Sequence, residues 1–140
     1  YGLNDKKTTN ITLRYALITS IIISIVVYGC LFLFSNTIVS AFNSENNSYL
    51  QAAAINGLEI YFTGILFAGL NIILATYFAA TDNARPAGTI SILRGFIVIL
   101  PLAIILANIF GINGLWISFP LAELIVSIVS FIILSIQRKK

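Results

Sequence analysis

Two ionisable side chains lie inside long apolar segments of this sequence, where a charge is costly. Arg94 is about seven residues, or ~10 Å, from one end of its segment, and Glu123 is about nine residues, or ~13 Å, from the end of the next. A carboxylate at that depth has to be paired, protonated or in contact with water. Ionisable groups inside a membrane span usually face protein or water, which makes Glu123 and Arg94 candidates for a cavity or a cation-coupling site.

Two further polar residues are candidates for the same kind of site. Asn71 lies near the middle of its segment, within a helical stripe of otherwise small residues: Gly64, Ala68, Ala75 and Ala79. Small residues let helices approach closely in lipid, so the stripe favours helix packing, with a cavity lining as the alternative. Glu59 lies at the outer end of the same segment, which is typical of an interfacial residue, although it could also face an outward cavity.

The positions of Arg94 and Glu123 do not favour a direct ion pair. Counted from the turn between their segments, the two residues are offset by roughly six positions, or ~9 Å along the helix axis. Arg94 can instead extend its guanidinium toward the membrane interface. We also expect Pro101 and Pro120 to break their helices, because proline removes a backbone hydrogen bond and permits a bend.

Four apolar segments position these residues, and each is long enough to cross a bilayer as an α-helix. They cover about residues 13–36, 56–80, 87–109 and 114–136. A backbone in lipid has to satisfy its hydrogen bonds internally, so helices are expected rather than open strands. Turn-forming polar residues, glycine or proline connect the segments. The sequence therefore predicts an all-α integral membrane protein with four transmembrane helices in one unit, residues 1–140.

Composition excludes several other classes of protein. Of the 140 residues, 59% are hydrophobic and 9% are charged, whereas a soluble domain has about 45–50% and about 25%. The chain has no histidine and a single cysteine, so the usual general base and transition-metal ligand are missing and we expect neither an enzyme nor a bound cofactor. Positive residues flank the apolar segments instead of forming a patch, which argues against nucleic acid. The absence of methionine, even at position 1, suggests part of a longer protein.

The positive residues indicate how the chain is oriented in the membrane. Apart from Arg94, they all lie in the N-terminal flank, the second loop or the C-terminus: Lys6, Lys7, Arg14, Arg85, Arg138, Lys139 and Lys140. The first and third loops contain no lysine or arginine. Since positive flanks stay on the inner side of a membrane, we expect the N-terminal flank and the C-terminus to be cytoplasmic in a multi-pass protein of the cell (plasma or inner) membrane.

An ordered set of short motifs runs along the chain after an opening Tyr1-Gly2. The motifs are Tyr61–Gly64, Phe67–Asn71, Tyr77–Ala80, Ala84–Ala87, Leu93–Gly95, Leu100–Pro101, Phe110–Trp116 and Phe119–Glu123. Their order and spacing resemble the last helices of multidrug and toxic compound extrusion (MATE) transporters. Tyr1-Gly2 is similar to the end of that family's NYG-type stretch, which precedes its ninth helix.

The resemblance implies a position, a function and partners. The chain would form helices nine to twelve, part of the C-terminal lobe of a twelve-helix transporter. That transporter would exchange Na⁺ or H⁺ for drugs or other amphipathic, often cationic, organic compounds. Its partners would be the lipid bilayer and an N-terminal lobe of the same protein, which contains the family's cation-binding aspartate. No motif transfers the family's acidic residues of the second lobe to Glu59 or Glu123.

Two alternative functions remain open from the sequence. A lipid-linked saccharide flippase shares the broad architecture and would be favoured by a strongly basic cavity, but Arg94 is the only positive residue deep inside a span. A small non-transporting membrane subunit would be favoured if no further spans preceded Tyr1.

Overall fold

A computed structural model describes residues 6–81 and 84–138, and almost all of them are helical. The α-helices are α1 (Lys6–Leu33), α2 (Ser35–Phe42), α3 (Ser48–Tyr61), α4 (Ile65–Ala80), α5 (Ala84–Ile92), α6 (Ile99–Phe110) and α7 (Ile112–Arg138). A 3₁₀ turn, Phe62–Gly64, joins α3 to α4, and a π-helical turn, Leu93–Ile97, lies between α5 and α6. This confirms the all-α fold class. The Tyr1-Gly2 motif and the basic residues Lys139 and Lys140 fall outside the described residues.

Four helical stretches are long and apolar enough to cross a membrane, which confirms the predicted spanning helices. They are Lys7–Leu33, Ser48–Ala80, Ala84–Phe110 and Ile112–Arg138, hereafter the first to fourth spans. The second span begins before the predicted residue 56 because Asn47 caps its first turn. The Asn47 Oδ1 accepts hydrogen bonds from the backbone N–H groups of Tyr49 (3.0 Å) and Leu50 (3.2 Å).

The second span lies at the centre of the molecule. Its α4 segment packs against α1, α5 and α7, and α7 also packs against α3 and α6. Where these helices meet, a buried apolar core contains Leu13, Leu74, Phe78, Ile90, Val126 and Leu134. The first and third spans are largely exposed, with only 6% of their most apolar windows buried. Such apolar surface requires lipid or further protein around it.

Glycines set the geometry between the third and fourth spans. Gly111 separates α6 from α7 with φ of +60°, a conformation that side chains with a Cβ rarely adopt. Three residues later, Gly114 is buried against the backbone carbonyl of Leu106, which leaves no room for a Cβ atom. The short turn and this close approach hold α6 and α7 together as an antiparallel pair.

The two intramembrane prolines differ in their effects. Pro101 lies in the first turn of α6, where a missing N–H is tolerated, and it follows the π-helical turn in which the Val98 N–H donates to the Leu93 carbonyl at 2.9 Å. Pro120 lies inside α7, which runs without interruption from Ile112 to Arg138. The break expected at Pro120 is therefore absent. Packing against neighbouring helices and local side-chain bonds let membrane helices continue through proline.

Candidate functional site

A group of polar side chains lies buried where the second, third and fourth spans meet. Arg94 comes from the π-helical turn of the third span, Asn71 from α4, and the remaining members from one face of α7. We call this group the polar cluster; it consists of Asn71, Arg94, Glu123, Ser127 and Ser130. Within the described residues, every buried side-chain nitrogen or oxygen has a hydrogen-bond partner.

Glu123 is the charged centre of the polar cluster, and its side chain is only 4% exposed. Its Oε1 accepts hydrogen bonds from Arg94 Nη2 at 2.8 Å and from Arg94 Nε at 3.1 Å. Its Oε2 accepts a hydrogen bond from Asn71 Nδ2 at 2.7 Å. Both carboxylate oxygens are thus bound, and the buried negative charge is balanced by a guanidinium that is itself 24% exposed.

This ion pair corrects the expectation that the positions of Arg94 and Glu123 do not favour a direct pair. The expected axial offset of ~9 Å assumed two regular helices, and long side chains were expected to bridge only part of it. Arginine carries its charge at the end of a long flexible stem. In addition, the π-helical turn changes the direction in which Arg94 leaves its helix relative to a regular α-helix.

Asn71 connects the second span to the fourth and is completely buried. Besides its bond to the Glu123 carboxylate, Asn71 Nδ2 donates to the Glu123 backbone carbonyl at 2.9 Å. Asn71 Oδ1 accepts hydrogen bonds from Ser127 Oγ at 3.2 Å and from Ser130 Oγ at 3.3 Å. Asn71 therefore joins two packed helices. This agrees with helix packing, the interpretation that its stripe of small residues favoured over a cavity lining.

The two serines were not selected as site residues from the sequence. Their spacing does indicate a shared site, because Ser127 and Ser130 follow Glu123 by four and seven positions and so lie on the same helical face. Serine is common in membrane helices, however, and often bonds only to its own helix. Ser130 Oγ also lies 2.8 Å from the Val126 carbonyl of its own helix, so this carbonyl and Asn71 Oδ1 share its single proton.

Glu59 is not part of the polar cluster. It lies half-buried in α3, and its Oε1 accepts a hydrogen bond from Ser35 Oγ at 2.9 Å. The hydroxyl group of Tyr28 donates to the Glu59 backbone carbonyl at 3.3 Å. These two bonds connect the α3 part of the second span to the junction between α1 and α2.

The polar cluster contains one carboxylate, that of Glu123. The chemistry that this group allows is the uptake and release of a proton or a metal cation. No group of three or more His, Cys, Asp or Glu side chains comes together within residues 6–81 and 84–138. Arg94 already supplies a positive charge to Glu123. A proton or metal cation reaching this carboxylate would therefore compete with the guanidinium.

Comparisons with known proteins agree with the resemblance seen in the sequence. The MatE family model matches residues 1–105. Over 138 residues the chain is 23% identical to "Multidrug export protein MepA" of Staphylococcus saprophyticus subsp. saprophyticus, and the match covers 99% of this chain. The chain spans 30% of the length of that relative. No solved structure matches the chain.

Members of the matched family are transporters, in agreement with the expectation that the chain is not an enzyme. Since the family model covers residues 1–105 of the 140, the chain belongs to the MatE family of membrane proteins.

Proposed function

We propose that the chain forms part of the C-terminal lobe of an antiporter that exports drugs or other amphipathic, cationic organic compounds. The export would be coupled to Na⁺ or H⁺, and an N-terminal lobe of the same protein would complete the substrate cavity. The family and the name of the curated relative support export of drugs as the activity. The observation that carries the proposal is the ion pair of Arg94 and Glu123, buried within the spans.

A buried ion pair beside an irregular helix is a suitable site for coupling the binding of Na⁺ or H⁺ to a movement of the helices. Charged groups inside spans are rare and tend to mark ion or substrate pathways. Arg94 belongs to a π-helical turn, and such turns are frequent at functional sites. Protonation of Glu123, or binding of Na⁺ beside it, would weaken its attraction to Arg94. The third span could then shift against the fourth, as alternating access requires.

We further propose that the N-terminal flank, the second loop and the C-terminus face the cytoplasm of the cell. The support is the distribution of lysine and arginine, because the first and third loops contain neither residue.

The decisive experiment compares two glutamates in the full-length protein. Glu123→Gln removes the buried charge, whereas Glu45→Gln changes an exposed glutamate in the first loop. We expect Glu123→Gln to lower ethidium efflux about tenfold, a typical size for a lost coupling free energy, and Glu45→Gln to leave it unchanged, at matched protein abundance. Wild-type efflux in both variants would refute a coupling role for Glu123. No efflux or drug protection from the wild-type protein would refute the proposed function.

Ethidium efflux also distinguishes the proposed exporter from a flippase for lipid-linked saccharides, because ethidium is an organic cation. A flippase for lipid-linked saccharides would need a strongly basic cavity to hold its anionic substrate. The intramembrane positive charge of Arg94 is balanced by Glu123, which favours an organic cation over an anionic lipid as substrate.

A further inference from the structure

An open groove lies between the first and fourth spans, away from the polar cluster. Its volume is about 850 Å³, and it is lined by α1 and by the C-terminal part of α7. Leu13 and Leu134, both among its lining residues, are buried and belong to the apolar core together with Phe78 of α4. The walls above them include exposed apolar side chains such as Ile18 and Phe131.

One end of the groove is basic. Arg14 and Arg138 both line it and are exposed, and no acidic side chain lines it. Arg138 Nη2 donates a hydrogen bond to Asn10 Oδ1 at 3.2 Å, which places the start of α1 and the end of α7 at the same level. Within the described residues neither arginine forms an ion pair with a carboxylate. Two guanidinium groups are therefore available to an anion at this end.

The groove extends into one leaflet of a bilayer. On α1 its lining residues run from Asn10 to Ile21, with Arg14 at the basic end. The seven helical steps from Arg14 to Ile21 correspond to ~10 Å, about two thirds of the ~15 Å of hydrocarbon in one leaflet. The basic end lies where the first apolar segment begins, so the apolar part of the groove extends from the membrane surface toward the bilayer centre.

We propose that this groove binds one anionic phospholipid. Its phosphate group accepts hydrogen bonds from Arg14 and Arg138, and an acyl chain lies along Ile18 and Phe131. Basic pockets between spans recognise anionic headgroups in this way, and arginine is well suited to phosphate oxygens. The inference goes beyond the proposed transport activity, and its test measures lipid binding alone.

The first experiment measures headgroup preference with the purified full-length protein in detergent. Phosphatidylglycerol and phosphatidylcholine with identical acyl chains are each titrated while the unfolding temperature is recorded. We expect phosphatidylglycerol to raise the unfolding temperature more, because a ligand that binds only the folded state stabilises it. In the double variant Arg14→Gln/Arg138→Gln, the apparent affinity for phosphatidylglycerol should fall about thirtyfold.

The matched control is Arg85→Gln, which removes an exposed arginine of α5 that does not line the groove. This variant should keep the preference for phosphatidylglycerol. Equal stabilisation of the wild-type protein by both lipids would overturn the proposal, and so would an unchanged preference in the double variant.

A second experiment identifies what occupies the apolar part of the groove. Ile18 is 44% exposed, so Ile18→Trp should fold and add a fluorophore to the wall. Brominated phosphatidylglycerol should quench the added fluorescence more strongly than brominated phosphatidylcholine. Equal quenching would indicate ordinary boundary lipid, and no quenching would indicate that another helix of the protein covers the groove. Either result would overturn the proposal.

Discussion

Asn71 joins the second span to the fourth through hydrogen bonds to Glu123, Ser127 and Ser130. Asn71→Leu keeps the branched shape of the side chain but leaves the Glu123 Oε2 without this partner, and it removes the Asn71 Oδ1 contacts of the Ser127 and Ser130 hydroxyls. The two hydroxyls keep the Phe67 and Val126 carbonyls as acceptors. The unsatisfied Glu123 Oε2 and the lost interhelical bonds should still lower the unfolding free energy by about 1–3 kcal/mol. Thermal unfolding of the purified protein measures this change.

Asn108→Leu is the matched control for that variant. Asn108 is exposed on α6, and its Nδ2 donates only to the Ile104 carbonyl of its own helix. We expect Asn108→Leu to change the unfolding temperature little. Similar losses in the two variants would contradict a special role for Asn71.

The two partners of the ion pair should respond differently to neutralisation. Arg94→Gln leaves the buried Glu123 carboxylate without its counter-ion, whereas Glu123→Gln leaves an arginine that is 24% exposed and can extend toward water. Breaking a buried pair by removing one partner costs about 3–5 kcal/mol when the other charge cannot escape. We therefore expect Arg94→Gln to lower membrane abundance and unfolding temperature more than Glu123→Gln.

The double variant Arg94→Gln/Glu123→Gln completes the cycle. It removes both charges, so it should be more stable than Arg94→Gln alone. Additive losses in the double variant would show that the two side chains do not stabilise each other.

At the level of helices, α6 and α7 approach each other closely at Gly114. A Cβ atom there would overlap the backbone carbonyl of Leu106, which cannot move aside as a flexible side chain could. We expect Gly114→Ala to force the helices apart and to lower the unfolding temperature or the amount of protein in the membrane. Thermal unfolding and quantitative immunoblotting measure the two effects.

Gly29→Ala provides the comparison, since nothing lies within 4 Å of a Cβ atom built at this position of α1. In an open position alanine favours a helix relative to glycine by roughly 0.5–1 kcal/mol. Gly29→Ala should therefore be neutral or stabilising. A harmless Gly114→Ala would mean that α6 and α7 are not so close.

The helices could be predicted from the sequence to a greater extent than their contacts. Apolar length identifies a spanning helix directly, and Asn71, Arg94 and Glu123 stand out as polar residues in apolar surroundings. Their mutual contacts depend on the π-helical turn at Leu93–Ile97 and on how the helices cross, and neither has a clear local signal. The helix break predicted at Pro120 is wrong for a related reason, because the effect of a proline depends on neighbouring helices as well as on the proline itself.

The molecule as a whole has much apolar surface on its first and third spans. Exposed side chains there include Ile22, Ile25, Phe96, Leu100 and Ile104. In water such a surface would favour association, whereas in a bilayer it contacts lipid or further helices. The four spans are thus consistent with one part of a larger membrane protein, in agreement with the greater length of the relative.

The proposed orientation yields a prediction for the whole molecule in its membrane. Single cysteines are introduced at Asn46, Ala84 or Asn113 in a full-length background that lacks Cys30 and any other cysteine. A membrane-impermeant maleimide added to intact cells should label the cysteines at 46, in the first loop, and at 113, at the start of α7 beside the third loop. The cysteine at 84 should react only after the cells are opened, because Arg85 beside it favours the cytoplasmic side. Residues 46, 84 and 113 are all exposed in the folded chain, so a difference in labelling reports the side of the membrane rather than burial in the protein. The opposite labelling pattern would show that the chain has the opposite orientation in the membrane. The basic end of the groove would then lie in the outer leaflet.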